Sequence, residues 1–229
     1  MSTSPSHFTA RRSVSLIAAA GWLGVTLIVA ATSIALLRYR GPFTLLNLTI
    51  SELGLLPDSP AAGIFNAGLI SGGVCLLVFL VGLGMRLGGV IGALFALLGA
   101  TTGMATALVG VFPVDHALHQ VVGPTCFVAG LLSTLLFAVN ALLGDGRFIP
   151  RWLALPSLSA SACLGLYISM PLLLPDGINQ VFAAPDVATR PAIWIVATSE
   201  WIAFSAVLLW VSIAAWQLAL GRLSLTDAP

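Results

Sequence analysis

The sequence predicts an all-α integral membrane protein, a bundle of six spanning helices. Three observations carry this. Hydrophobic residues fill 59% of the 229 positions and charged residues only 7%, too little charge to cover a water-facing domain of this size. Apolar stretches of roughly 20 residues, long enough to cross about 30 Å of hydrocarbon, recur along the chain. The alternating pattern of a membrane barrel is absent, which leaves helices as the form that satisfies its own backbone in lipid.

The spans follow in order. Residues 1–13 are polar and end in Arg11-Arg12, an expected cytoplasmic tail. The apolar run from Val14 to Leu37 is longer than the apolar part of a signal peptide and lacks a small-residue cleavage site, so it reads as a retained first helix. Phe43 to Ile50 is apolar with Thr44, Asn47 and Ser51 interspersed, which suits a short interfacial or re-entrant segment. Pro57-Asp58-Ser59-Pro60 is a turn. Helix two runs from Ala61 to Met85, Gly88-Gly89 is a tight connection, and helix three reaches Phe112. Helix four runs from Ala117 to Leu143 and stops at Gly144-Asp145-Gly146-Arg147. Helix five covers Trp152 to Leu174. Pro175-Asp176-Gly177 opens a loop to Arg190-Pro191, read as the start of helix six with Pro in its first turn. Helix six ends at Leu220, so the transmembrane domain is 14–221 and 222–229 is a second cytoplasmic tail. Gly68, Gly72, Gly73, Gly99, Gly103 and Gly110 suit close helix packing.

Six spans put both termini on one side. With that side cytoplasmic, Arg11, Arg12, Arg86, Arg147, Arg151 and Arg222 lie inside and Arg38, Arg40 and Arg190 outside, as the positive-inside rule requires. The expected location is the cell membrane. A net charge of +1 without a single lysine offers no footprint for nucleic acid. Cys75, Cys126 and Cys163 sit in apolar runs without metal or redox spacing and read as small buried hydrophobes.

The polar residues that need explaining gather at the outer end. Ser51 and Glu52 precede helix two, Asn66 lies near its start, and His116 and His119 open helix four. Glu200 lies ten residues past Arg190, roughly 15 Å along helix six. A carboxylate there must face the bundle interior and find a partner. It is either a structural tie between helices or part of a functional site. His116 and His119, three apart, would share a helix face, with Asp115 as helix cap. Two neutral imidazoles with Glu52 or Glu200 could bind a divalent ion, but two histidines do not specify a metal site. The plainer reading is a pair of interfacial histidines beside a capping Asp115. Glu52 also reads as a solvated loop acid, and Asn66 as an interhelical bridge. No nucleophile elbow surrounds Ser51. The sequence requires no cofactor.

Asn47-x-x-x-Ser51-Glu52-Leu53-Gly54, then Phe65-Asn66, then Gly110-Val111-Phe112-Pro113 followed by His116 and His119, resembles a bacterial six-helix membrane family known as domain of unknown function 998. More distantly it is similar to the damage-regulated autophagy modulator family, which includes relatives linked to remodelling of glycosylphosphatidylinositol lipids. The resemblance runs from about Val14 to Leu220. It places the family's Ser-acid-x-Gly element on Ser51, Glu52 and Gly54, the Phe-Asn pair on Phe65 and Asn66, the histidine on His119 with His116 competing, and the last-helix acid on Glu200. Many family members have Asp at the place of Glu52, and Arg after the last acid where this chain has Trp201. The resemblance implies a bacterial source and lipid as the partner class.

The expected function is binding or processing of a lipid head group in an outer-leaflet pocket built from Ser51, Glu52, Asn66, His119 and Glu200. The alternative is a non-catalytic accessory subunit of a larger membrane complex. A small transporter is third, disfavoured because the inner half lacks the polar groups of a through-path. Whether the chain self-associates stays open.

Overall fold

The computed structural model of the protein describes residues 5–40, 43–55, 59–144, 149–175, 177 and 189–223, with side chains from residue 14. The turn at Pro57-Asp58, the stop at Asp145 to Arg147, and Asp176 lie outside the described residues. Among the described residues there is no strand, and six helices are long and apolar enough to cross a membrane. They are α1 (Pro5–Arg38, apolar from Val14), α2 (Ala62–Leu87), α3 (Gly89–Val111), α4 (His119–Leu143), α5 (Ala154–Leu173) and α6 (Ile195–Ala219). This is a multi-pass membrane architecture. Each helix packs on its sequence neighbours and α6 returns to α1, which closes the six into a ring. The start of α1 and the end of α6 share one end of the bundle, here the proximal end; the opposite end is distal.

Glycine sets the closest seam, between α2 and α3. Gly88 and Gly89 both take positive φ, 67° and 58°, so the chain reverses with no intervening loop. Along the seam, a Cβ at Gly73, Gly84, Gly103 or Gly110 would come within 2.5–2.6 Å of backbone atoms of Ala107, Ala96, Leu77 and Asn66. Without side chains the two backbones touch, which is how apolar helices gain dispersion energy when lipid offers no hydrophobic drive.

The proximal half is solid. Phe79, Phe95, Phe137 and Trp210 are buried on α2, α3, α4 and α6. The Phe95 and Phe137 ring centroids are 6.0 Å apart, and Trp210 meets Phe137 edge to face at 5.6 Å. The indole Nε1 of Trp210 donates to Ser157 Oγ at 2.6 Å, and Thr134 Oγ1 lies 2.8 Å from Ser161 Oγ. Ser157 and Ser161 also donate to carbonyls one turn back in α5, so these buried hydroxyls are satisfied while they tie α4, α5 and α6 together.

Three local expectations change. Phe43 to Ile50 forms turns rather than an interfacial helix, followed by a 3₁₀ turn at Ser51–Gly54; Asn47 and Leu48 N–H donate to the Thr44 carbonyl, while the Leu46 and Leu48 carbonyls accept from Trp194 and Trp201. The start of α4 is His119, not Ala117, and Asp115 does not cap it: the N-cap is Leu118, without a side-chain cap bond. Pro113 holds Phe112 out of the helical region, and two successive turns, His116 N–H to the Pro113 carbonyl and His119 N–H to the His116 carbonyl, use up the intervening residues. Likewise α6 starts at Ile195, behind an extended Trp194, rather than at Ala192.

Candidate functional site

The distal end is covered by segment 43–55, laid across the first turns of α6. Trp194 N–H donates to the Leu46 carbonyl at 2.7 Å. Thr198 Oγ1 donates to the same oxygen at 3.2 Å, and Trp201 Nε1 donates to the Leu48 carbonyl at 2.8 Å. Leu48 and Leu53 are fully buried beneath it. An irregular backbone inside a membrane protein must find partners, and here one helix supplies them.

Glu200 is the inward end of that attachment. It is only 3% exposed. Its Oε2 accepts from the Ile50 N–H at 3.1 Å and its Oε1 from the Ser51 hydroxyl at 3.2 Å. A carboxyl group in the middle of apolar sequence is therefore accounted for by two donors from a segment 150 residues earlier.

Glu52 has a different partner. Arg190 Nη2 donates to its Oε1 at 2.6 Å and Nη1 to its Oε2 at 2.8 Å. The two side chains are 2% and 13% exposed. Thr49 adds its N–H and its hydroxyl to Oε2, at 2.8 and 2.7 Å. The guanidinium also donates to the Asn47 carbonyl and lies 4.2 Å over the Trp194 ring. Glu52 is thus no solvated loop acid, and Arg190 is no helix start. They form a paired, hydrogen-bonded ion couple, the arrangement that makes a buried charge tolerable.

Beneath the cover lies a cavity of about 450 Å³. All six helices and segment 43–55 contribute to its wall. On α6 the lining runs from Val196 to Leu208, roughly 18 Å at about 1.5 Å per residue. Below it sit Phe137 and Trp210, so it ends blind above the aromatic plug. Its shaft is mainly apolar, with Leu69, Leu164 and Val207 in the wall, and the Thr102 and Thr106 hydroxyls that also line it donate to carbonyls of their own helix. Its polar groups cluster toward the distal mouth: Ser51, Glu52, Glu200, His119, Asp115 and Gln120. Pro124 and Pro171, inside α4 and α5, also line it. Each lacks an N–H, which leaves the carbonyl four residues earlier, at Gln120 and Tyr167, without its usual helical donor.

His119 is oriented for use. Its Nδ1 lies 2.8 Å from the Phe112 carbonyl. A carbonyl can only accept, so Nδ1 carries the proton, and in the uncharged ring Nε2 is left as an acceptor at the cavity wall.

The cavity therefore unites Ser51, Glu52, His119 and Glu200, and it leaves out two predicted members. His116 is exposed, stacked on Phe112 at 4.8 Å, and its Nδ1 accepts from the Leu118 N–H at 3.1 Å. It precedes the helix and shares no helix face with His119. Asn66 donates from Nδ2 to the Gly54 carbonyl at 3.2 Å, fixing the 3₁₀ turn to α2, while its neighbour Phe65 lines the cavity. Among the described residues no three His, Cys, Asp or Glu side chains are grouped to hold a metal ion. Arg190 is the member that sequence reasoning missed. An acid in a chain so poor in charge needs a cation, and that is the signal that could have found it.

A family model described as "Protein of unknown function (DUF998)" matches residues 22–222. No curated protein and no solved structure matches the chain.

Proposed function

The chain belongs to the family described as "Protein of unknown function (DUF998)", and from the shape of its distal cavity we propose that it binds an amphipathic lipid. The head group sits at the mouth against Ser51, Glu200 and His119, and an acyl chain occupies the shaft. One observation carries this reading: a mostly apolar cavity of about 450 Å³ whose charged and imidazole groups cluster at its distal end. An apolar pocket with a few convergent polar groups is the usual form of a small-molecule site, and inside a membrane the abundant molecule of that polarity profile is lipid. His119 Nε2 accepts a head-group hydroxyl. The same nitrogen supplies the base if the head group is also processed. The distant likeness to the damage-regulated autophagy modulator family points to the same partner class. The aromatic plug argues against a through-path for transport.

The distal end then faces the cell exterior. Among the described residues five arginines, Arg11, Arg12, Arg86, Arg151 and Arg222, fall at the proximal end and three, Arg38, Arg40 and Arg190, at the distal end, and the positive-inside rule assigns the richer end to the cytoplasm. Of the remaining three, Arg190 is neutralised by Glu52.

The test uses the cavity's own geometry. A Cβ at Gly130 meets only Leu164 and Thr102, at 3.7 and 3.8 Å, so a larger side chain there grows into the cavity without striking backbone. Protein purified in mild detergent and extracted with solvent should yield stoichiometric lipid by mass spectrometry. Gly130→Phe should lose it with helical circular dichroism and elution volume unchanged. Wild-type protein free of lipid, or a Gly130→Phe protein loaded like the wild type, would overturn the proposal.

A further inference from the structure

Resting on that reading, we propose that lipid reaches the cavity sideways from the bilayer, through the seam between α1 and α6, and that Thr32 recognises an acyl ester on the way in. The seam closes near the proximal end, where a Cβ at Gly21 would lie 3.0 Å from Ala215 Cβ. Toward the distal end the two helices part around a cleft of about 300 Å³. Its walls are Val29, Thr32, Ser33 and Leu36 of α1, facing Trp201, Phe204, Ser205 and Leu208 of α6.

Three observations converge on this cleft. First, Phe204 and Leu208 line both the cleft and the central cavity. Phe204 and Leu208 thus each separate the cleft from the cavity as a single layer of side chain, and Ile28, one turn from Thr32, reaches the cavity from α1. Secondly, α1 is the least embedded helix: 28% of its apolar window is buried, against 39–44% for the other five. A helix with fewer packing contacts separates from its neighbour at lower cost. Thirdly, Thr32 is 5% exposed, yet its hydroxyl has no protein partner. A threonine in a spanning helix ordinarily donates one turn back, as Thr101, Thr102, Thr106 and Thr125 all do here. A buried hydroxyl left unsatisfied is unfavourable, and an acceptor arriving in the cleft removes that penalty.

The occupant is a diacyl ester lipid of the surrounding bilayer. Thr32 lies six residues from Arg38, roughly 9 Å below the end of α1. That is just inside the hydrocarbon on the distal side, within reach of the ester carbonyl of a lipid that enters the cleft; a diether lipid has no such projecting carbonyl, and its oxygens are shielded between chain carbons. The two exposed serines of the cleft, Ser33 and Ser205, offer further donors at the same level.

The experiment follows transfer of a fluorescent-chain phosphatidylglycerol from vesicles into full-length protein in nanodiscs. Ser205→Trp obstructs the cleft without touching the cavity lining, and should slow loading about tenfold while leaving equilibrium occupancy within about twofold of wild type. Phe204→Ala should speed it. Wild-type protein should prefer diester to diether lipid, and Thr32→Val should abolish that preference and raise the lipid-free melting temperature. Equal loading rates for diester and diether lipid in the wild type overturn recognition by Thr32, and unchanged loading in Ser205→Trp overturns lateral entry. If Gly130→Phe still empties the cavity in that case, the central site stands and only the route falls. A wild-type cavity that never loads removes both.

Discussion

Arg190 grips Glu52 through two parallel hydrogen bonds, 2.6 and 2.8 Å long, across 138 positions of sequence. The pair staples the loop before α6 to the segment before α2, with Glu52 in the distal lining of the cavity and Arg190 outside that lining. Removing either partner leaves the other charge nearly buried, so Arg190→Ala or Glu52→Ala should each destabilise by about 3–5 kcal/mol. Arg190→Met combined with Glu52→Leu should recover much of that loss. Thermal unfolding in detergent, in a double-mutant cycle, reads the coupling. Additive losses would show that the pair contributes nothing.

Glu200 holds segment 43–55 down. Glu200→Ala leaves the Ile50 amide buried without an acceptor, a loss of about 1–3 kcal/mol. The segment should then lift, with faster hydrogen exchange at residues 46–52 and little change in the spanning helices. Glu200→Gln keeps an oxygen for Ile50, and its amide can donate to the Ser51 oxygen, so protection should persist. Equal exchange in the alanine and wild-type proteins would show that the Trp194, Thr198 and Trp201 bonds suffice alone.

Trp201 occupies the place where many relatives are expected to carry Arg, and its indole serves the Leu48 carbonyl. Trp201→Phe keeps the ring but loses the donor. The expected effect is about 1 kcal/mol of stability, seen as a lower melting temperature, with lipid occupancy retained. A larger loss in Trp201→Arg would indicate that this chain has no anion there for a cation to meet.

The glycines fall into two classes that substitution should separate. Gly73→Ala and Gly103→Ala push a methyl into the facing backbone and should cost about 1–3 kcal/mol by overpacking. Gly130→Ala meets only ordinary contacts and should be near neutral. Melting temperatures of the three variants in one detergent decide the matter.

The aromatic plug supports the blind end of the cavity. Phe137→Ala should destabilise by about 3–5 kcal/mol and extend the shaft toward the proximal end. A lipid with a longer chain should then bind better than it does in the wild type. An unaltered chain-length preference would place the floor elsewhere.

The number and placement of the helices were legible because a spanning segment must be apolar throughout its length. So was the inward aim of Glu200, since a carboxyl in hydrocarbon has nowhere else to go. Ser51, Glu52 and His119 could be placed at the same end by counting turns. Other features were hidden for physical reasons. Arg190-Pro191 looks like a helix start because proline suits a first turn, and only the fold brings Glu52 beside it. His116 and His119 look paired at helical spacing, but Pro113 delays the helix past His116. The apolar walls of the cavity were invisible because lipid-facing and core-facing positions are alike apolar, so periodicity does not mark which side of a helix is inward.

The attachment of segment 43–55 to α6 also has a temporal side. Leu46, Leu48, Ile50 and Ser51 are translated early, whereas their partners Trp194, Thr198, Glu200 and Trp201 leave the ribosome after four more spans. During synthesis the early segment must wait at the membrane face with its carbonyls and amides hydrated. The ring of helices, and with it any chamber for a ligand, comes into being only when the last span inserts.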